Sequence, residues 1–175
     1  MTAAILRTAD PYRDTDVIDA RAPRFNQVIV GTISLLAVLT GWWPLLALLA
    51  MQLGIGLRFG RQWCLPCVAY FELIQPRFGE GPIEDSRPPR FANQLGFSVL
   101  TVASVTYLAG LPLLGAALGL TVAGLALLAA TTGFCVGCWI YRLAAPLLGI
   151  HIRHLEPAAV CAECSTVEPR NEAGC

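Results

Sequence analysis

The chain has 175 residues, of which 55% are hydrophobic and 14% charged, with a mean hydropathy of +0.60. An ordinary soluble domain carries about 25% charged residues, so the composition argues against that class and for a membrane protein. Twelve basic and twelve acidic residues give a formal net charge of zero, which excludes the basic bias of a nucleic-acid-binding chain.

Charge placement says more than the sum. Residues 25–57 and 91–141 carry no charge, a run of 33 and a run of 51. A membrane helix needs about 20 apolar residues, so each run is too long for one helix and suits two. In chain order, residues 1–23 form a polar N-terminal tail with Asp10, Asp14, Asp16 and Asp19 among Arg7, Arg13 and Arg21; no apolar run follows a basic start, so it is not read as a secretory signal. A first helix is predicted from about Arg24 to Thr40, broken at Gly41-Trp42-Trp43-Pro44. A second runs from about Pro44 to Phe59, with Pro44 tolerated in its first turn and Ala50 and Gly54 spaced for close helix approach. Residues 77–89 read as a Gly- and Pro-rich linker, with a short surface helix over 68–74 before it, stopped near Pro76. A third helix is predicted from about Arg90 to Leu111 and a fourth from about Leu113 to Ala130. On the fourth, Gly115, Gly119 and Ala123 form a small-residue stripe of the kind that packs membrane helices together. Another surface helix is predicted over 139–148. The tail 149–175 is polar and holds His151, His154, Cys161, Cys164 and Cys175.

The chain contains an internal repeat, the feature to seek before other assignments. Trp63-Cys64-Leu65-Pro66-Cys67-Val68-Ala69-Tyr70 is echoed by Phe134-Cys135-Val136-Gly137-Cys138-Trp139-Ile140-Tyr141. Upstream, Pro23-Arg24-Phe25-Asn26-Gln27 is echoed by Pro89-Arg90-Phe91-Ala92-Asn93-Gln94. The offset is 66 residues at Arg24/Arg90 and 71 at both cysteines and the tyrosine. The expected fold is therefore all-α: a four-helix transmembrane bundle of two hairpin repeats, 24–76 and 90–148, each followed by a short interfacial helix. Every Arg lies in a tail or in the central connection. The positive-inside rule then places both termini, the connection and both Cys pairs on the cytoplasmic side. An even number of helices per repeat relates the halves by a pseudo-twofold axis along the membrane normal.

Cytoplasmic thiols stay reduced, so Cys64, Cys67, Cys135 and Cys138 read as a redox site or a metal site rather than as structural disulfides. As dithiols, each pair opens a short helix, whose N-terminus lowers a thiol pKa. As ligands, four thiolates make a closed tetrahedral zinc shell or hold an iron–sulfur cluster. Simple packing is the third reading, since Cys is often a small buried residue. Tyr70 and Tyr141 are expected to anchor at the interface. Asn26, Gln27, Asn93 and Gln94 are expected to hydrogen-bond between helices near the cytoplasmic surface, and Gln52 to hold helices together within the membrane.

Trp63-Cys64-Leu65-Pro66-Cys67 resembles the Trp-Cys-x-Pro-Cys site of thioredoxins over those five residues. From about Asp19 to Leu148 the chain resembles an uncharacterised bacterial family of four-helix integral membrane proteins, with an Arg-Phe-x-Gln entry and a Gly-Phe-Cys-x-Gly-Cys-x-x-Tyr exit. That resemblance implies a fold and no activity. Thr132-Gly133-Phe134-Cys135 followed by Tyr141-Arg142-Leu143 is similar to the membrane hairpin attached to some inner-membrane rhodaneses, which implies a neighbourhood in sulfur transfer. Together these readings lead to a multi-pass protein of the bacterial inner membrane. Its two dithiols would handle electrons or sulfur with a soluble thioredoxin-like or sulfurtransferase partner. The alternatives are a metal-clamped scaffold and a conduit for a small sulfur species. The last is disfavoured because no intramembrane charge pair marks a transport path.

Overall fold

A computed structural model describes Tyr12, residues 17–79 and residues 81–147. The elements are β1 (Val17–Asp19), α1 (Arg21–Thr40), α2 (Pro44–Phe59), a 3-10 turn (Arg61–Trp63), α3 (Leu65–Ala69), a π-helical turn (Tyr70–Ile74), α4 (Gln75–Phe78), β2 (Ile83–Asp85), α5 (Arg87–Leu108), α6 (Pro112–Thr132) and α7 (Val136–Leu147). The expected tail residues 149–175, with His151, His154, Cys161, Cys164 and Cys175, lie outside the described residues.

The long helices start and stop where the chain's chemistry requires. Pro44 and Pro112 stand in the first turns of α2 and α6, where a missing N–H leaves nothing unpaired. Gly41 and Gly133 close α1 and α6 in the left-handed conformation, at φ 69° and 73°, which glycine adopts without a Cβ penalty. The breaks fall close to the predicted ones. α1, however, begins three residues earlier than predicted, and α5 covers Arg87 to Leu108 instead of Arg90 to Leu111.

The four long helices touch in a ring. α1 packs on α2 and α6, and α5 packs on α2 and α6. Val30, Ala37, Leu46, Leu49, Ala50, Leu53, Leu100, Ala103 and Val122 form the core between them. The small-residue stripe of α6 is buried. Gly119 lies against Val38 and Leu46, and Gly115 against the Tyr107 ring, each too close for an added Cβ. On α2, Gly54 admits the Phe97 ring of α5 in the same way.

By length and composition, two helices suffice to cross a membrane: α1, with 20 residues, and α6, with 21. α2 is apolar but has only 16 residues. α5 has 22 residues, but Asn93, Gln94, Ser98, Thr101, Ser104 and Thr106 dilute its hydropathy. The expectation of four spanning helices is met to that extent only.

Two local features depart from the sequence-based expectation. β1 and β2 pair antiparallel, Ile18 opposite Glu84, so the end of the expected tail is tied to the expected linker. Neither strand has an alternating apolar pattern long enough to announce it. The surface helix is also longer than expected, running as α3, the π turn and α4 from Leu65 to Phe78. Pro76 has no N–H to donate back into the turn before it, and the π turn falls there, as such insertions often do at helix irregularities.

Asp19 holds the β1 junction together. Its buried carboxylate accepts the Tyr70 hydroxyl at 3.0 Å, the Gly81 N–H at 3.0 Å and the Arg21 N–H at 2.9 Å. Burial, then the hydrogen bond to Asp19, pushes the Tyr70 phenol up to about 12. Replacing Asp19 with Ala leaves three donors without this acceptor, among them the buried Tyr70 hydroxyl. The expected loss of stability is about 1–3 kcal/mol, read as a lower thermal midpoint of the purified protein. Tyr70→Phe is expected to lose less, because it removes donor and hydrogen bond together. An unchanged midpoint for Asp19→Ala would contradict this role.

Candidate functional site

Each Cys pair follows the end of an apolar helix and begins a new helical run. After α2, Gly60 turns the chain at φ 94° into the 3-10 turn, and the chain folds back along α2. The Gln52 amide donates to the Trp63 carbonyl at 3.2 Å and so holds this return. Gln52 was expected to join helices within the membrane; it instead fixes the turn ahead of Cys64. Cys64 thereby comes to rest against Gly56, where an added Cβ would meet the Cys64 Cβ at 3.2 Å. Cys64 and Cys67 are 5% and 9% exposed. They sit in a small apolar cluster with Ala22, Tyr70 and Phe71, backed by Ile18, Phe25 and Ile74.

After α6 the route is shorter, because only Phe134 separates Gly133 from Cys135. α7 packs on α5, with Gly137 so close to Ala92 that a Cβ there would sit 2.8 Å from the Ala92 Cβ. Cys135 and Cys138 are only partly buried.

The same aromatic contact supports each pair. Phe25 meets Tyr70 at 5.9 Å and 45°, and Phe91 meets Tyr141 at 5.5 Å and 46°. Both tyrosines thus pack on the Phe of an Arg-Phe motif, a role the expectation of interface anchoring did not include. Only Tyr70 also has the buried carboxylate. Asn26 and Asn93 join α1 to α5, Asn26 Nδ2 donating to Asn93 Oδ1 at 3.2 Å, as the predicted interhelical bonding requires. Gln27 has a different partner, the Cys135 thiol, and Gln94 is exposed.

The electrostatics of the two pairs run alike. The Cys67 thiol donates to Cys64 Sγ at 2.7 Å. That bond holds the Cys64 pKa below the ordinary thiol range, against the opposing effect of burial. Cys67, as the proton holder, is pushed up by the same bond and by its own burial. In the second pair, the hydrogen bond from Cys138 lowers Cys135 to about 6, against burial, helped by the Cys138 and Gly137 backbone and by Gln27. The Cys138 N–H lies 3.3 Å from Cys135 Sγ. Cys138 is raised by its bond to Cys135 and by burial. In each pair the first thiol is thus held below the ordinary range and the second above it.

The metal alternative needs Cys64, Cys67, Cys135 and Cys138 around one point. Among the described residues no three His, Cys, Asp or Glu side chains gather in a way that would hold a metal ion.

The model of the Domain of unknown function (DUF4395) family matches residues 18–145, which takes in both Cys pairs and all four long helices. The chain belongs to that family. This DUF4395 protein matches no curated protein and no solved structure. The family match covers the region expected from the Arg-Phe-x-Gln and Gly-Phe-Cys-x-Gly-Cys-x-x-Tyr motifs, and it carries no activity with it.

The geometry sets a pH dependence for the DUF4395 protein. A thiol lowered to about 6 remains thiolate as pH falls from 9 through 7 and gains its proton only near 6. Alkylation of Cys135 is therefore expected to be nearly flat above neutral pH and to fall through an inflection near 6. In Cys138→Ala, which removes the largest lowering cause, the inflection is expected to move up toward the ordinary thiol value of about 8.5. Rates followed by peptide mass spectrometry check both; an inflection already at the ordinary value in the unmodified protein would contradict the assignment.

Proposed function

We propose that this chain is an integral membrane protein whose two Cys-x-x-Cys pairs perform thiol redox or sulfur-transfer chemistry at the cytoplasmic face. The observation that carries the proposal is the hydrogen bond inside each pair, from the second Cys to the first. It lowers the first thiol and raises the second, three residues on, twice in the same chain.

The membrane part rests on exposure. Only 33% of the apolar window of α1 and 28% of that of α6 is buried within the protein, whereas a soluble core helix would be mostly covered. Leu39, Leu108 and Leu113 are 74%, 68% and 85% exposed, a surface that suits lipid and not water. α2 and α5 complete the proposed four-span arrangement because they lie in the same ring as α1 and α6. The charged segments then share one side, which the positive-inside rule makes the cytoplasm. The proposed pseudo-twofold relation draws support from the matched Phe–Tyr contacts and from the Asn26–Asn93 bond between corresponding helices.

Within this scheme the partly exposed Cys135 thiolate meets a soluble thioredoxin-like or sulfurtransferase partner. Two measurements test the scheme. Reporter fusions at Trp43 and Pro112 are expected to read outside the cytoplasm and a fusion at Gly81 inside; a cytoplasmic signal at Trp43 would overturn the topology. In redox buffers Cys135–Cys138 is expected to oxidise reversibly as a two-electron couple, tenfold in equilibrium constant per roughly 30 mV. A pair that resists oxidation, or that couples only between chains, would overturn the dithiol reading.

A further inference from the structure

The buried pair opens onto a half-open pocket. A cavity of about 130 Å³ lies between α1, α2 and α5 and is lined by Cys64, Cys67, Asn26, Asn93, Arg61 and Arg90, among others. It is comparable to the ~150 Å³ engineered cavity that takes up benzene. It has room for a molecule of a few heavy atoms. Cys64 and Cys67 are almost fully buried and line this pocket, so a small molecule in it reaches their sulfurs more readily than a protein disulfide does.

The lining selects by charge. Arg61 is close enough to Cys67 to favour its ionised form. Arg90 reaches across to the end of α2, its Nη2 donating to the Leu57 carbonyl at 3.3 Å, and a guanidinium has further donors beyond that one. The two guanidinium groups put positive charge at the pocket wall, as a small anion site requires.

We propose that this cavity binds a small inorganic anion containing a sulfur–sulfur bond and that Cys64 takes the outer sulfur from it. The inference rests on the dithiol reading and adds a substrate class to the buried pair. With thiosulfate as the example, the Cys64 thiolate attacks the outer sulfur and a Cys64–S bond forms. The sulfur–sulfur bond breaks, and sulfite departs with the electron pair. Cys64 is left as a persulfide anion, and total charge and oxidation level are conserved. Cys67 then displaces that outer sulfur: a Cys64–Cys67 disulfide forms, and hydrosulfide leaves carrying the Cys67 proton.

The chemistry explains the choice of ligand. A dithiol acts on sulfur–sulfur bonds, the volume restricts the bond to a small molecule, and the arginines restrict that molecule to an anion. Cys135 and Cys138 are only partly buried and suit a protein partner, so the two dithiols divide the work.

The test uses the full-length reduced protein in detergent with thiosulfate. One sulfite per chain is expected in a single turnover. In Cys67→Ser a persulfide is expected to accumulate on Cys64, seen as one added sulfur on the Cys64 peptide by mass spectrometry. Arg61→Gln is expected to lower the rate by about tenfold, the order expected for one charge-assisted contact, and Arg61→Lys to recover most of it. Sulfate, which has no sulfur–sulfur bond, is expected to compete without reacting. A neutral organic disulfide of similar size that reacts as fast as thiosulfate would overturn the anion selection. No sulfite release while Cys135–Cys138 still cycles in redox buffer would overturn this inference and leave the dithiol reading standing. Failure of both pairs to react would overturn the two together.

Discussion

Two arginines fix where the cysteines can be. Arg24, in the first turns of α1, lies so close to Gly133 that an added Cβ there would meet its Nη2 at 2.9 Å. Arg90, in the first turns of α5, donates to the carbonyl of Leu57 near the end of α2. Each guanidinium thus sits at the carboxyl end of an apolar helix from the other half of the chain, where it meets the negative end of the helix dipole and carbonyls without helical partners. A lone Arg beside an apolar helix is expensive unless its donors are used. Here that requirement anchors α1 to the end of α6 and α5 to the end of α2, and the Cys pairs are the next residues along the chain.

From this shared frame the two pairs diverge because of three residues. Arg61-Gln62-Trp63 lies between Gly60 and Cys64, while Phe134 alone lies between Gly133 and Cys135. The longer connection folds back along α2, is held there by Gln52, and lowers Cys64 into contact with Gly56. Asp19 then closes the site from the other side by taking the hydroxyl of Tyr70. The second repeat has neither device, so Cys135 stays accessible and is steadied by Gln27 instead. Two copies of one motif thereby acquire different surroundings, one buried and one only partly so.

Much of this was legible in the sequence, and the reason is the strength of particular signals. The turns at Gly41-Trp42-Trp43-Pro44 and at Gly110-Leu111-Pro112 interrupt long apolar runs and could be placed to within a few residues. The repeat was visible because Arg, Phe, Gln, Cys and Tyr recur in order at a nearly constant offset. The stripe of Gly115, Gly119 and Ala123 has the spacing of one helix face and does pack there. Other features depend on residues far apart in sequence with no pattern to join them. Nothing about Asp19 distinguishes it from Asp10, Asp14 or Asp16 until Tyr70 and Gly81 are brought to it. Three-residue strands are too short for an alternation to register. The difference in burial between the pairs arises from the backward fold of residues 61–63, which a Cys-x-x-Cys spacing does not encode. The spacing likewise did not decide between a redox and a metal role, since both call for paired thiolates; the separation of the pairs is a tertiary property.

The central claim is that each Cys-x-x-Cys is a self-contained dithiol. The most direct test is to purify the protein, measure bound metal, oxidise it mildly and map every disulfide by peptide mass spectrometry. The account predicts no stoichiometric metal and two disulfides within the pairs, Cys64 to Cys67 and Cys135 to Cys138. One zinc or iron–sulfur cluster per chain that is lost when any of the four cysteines is changed, or disulfides that join one pair to the other, would contradict it.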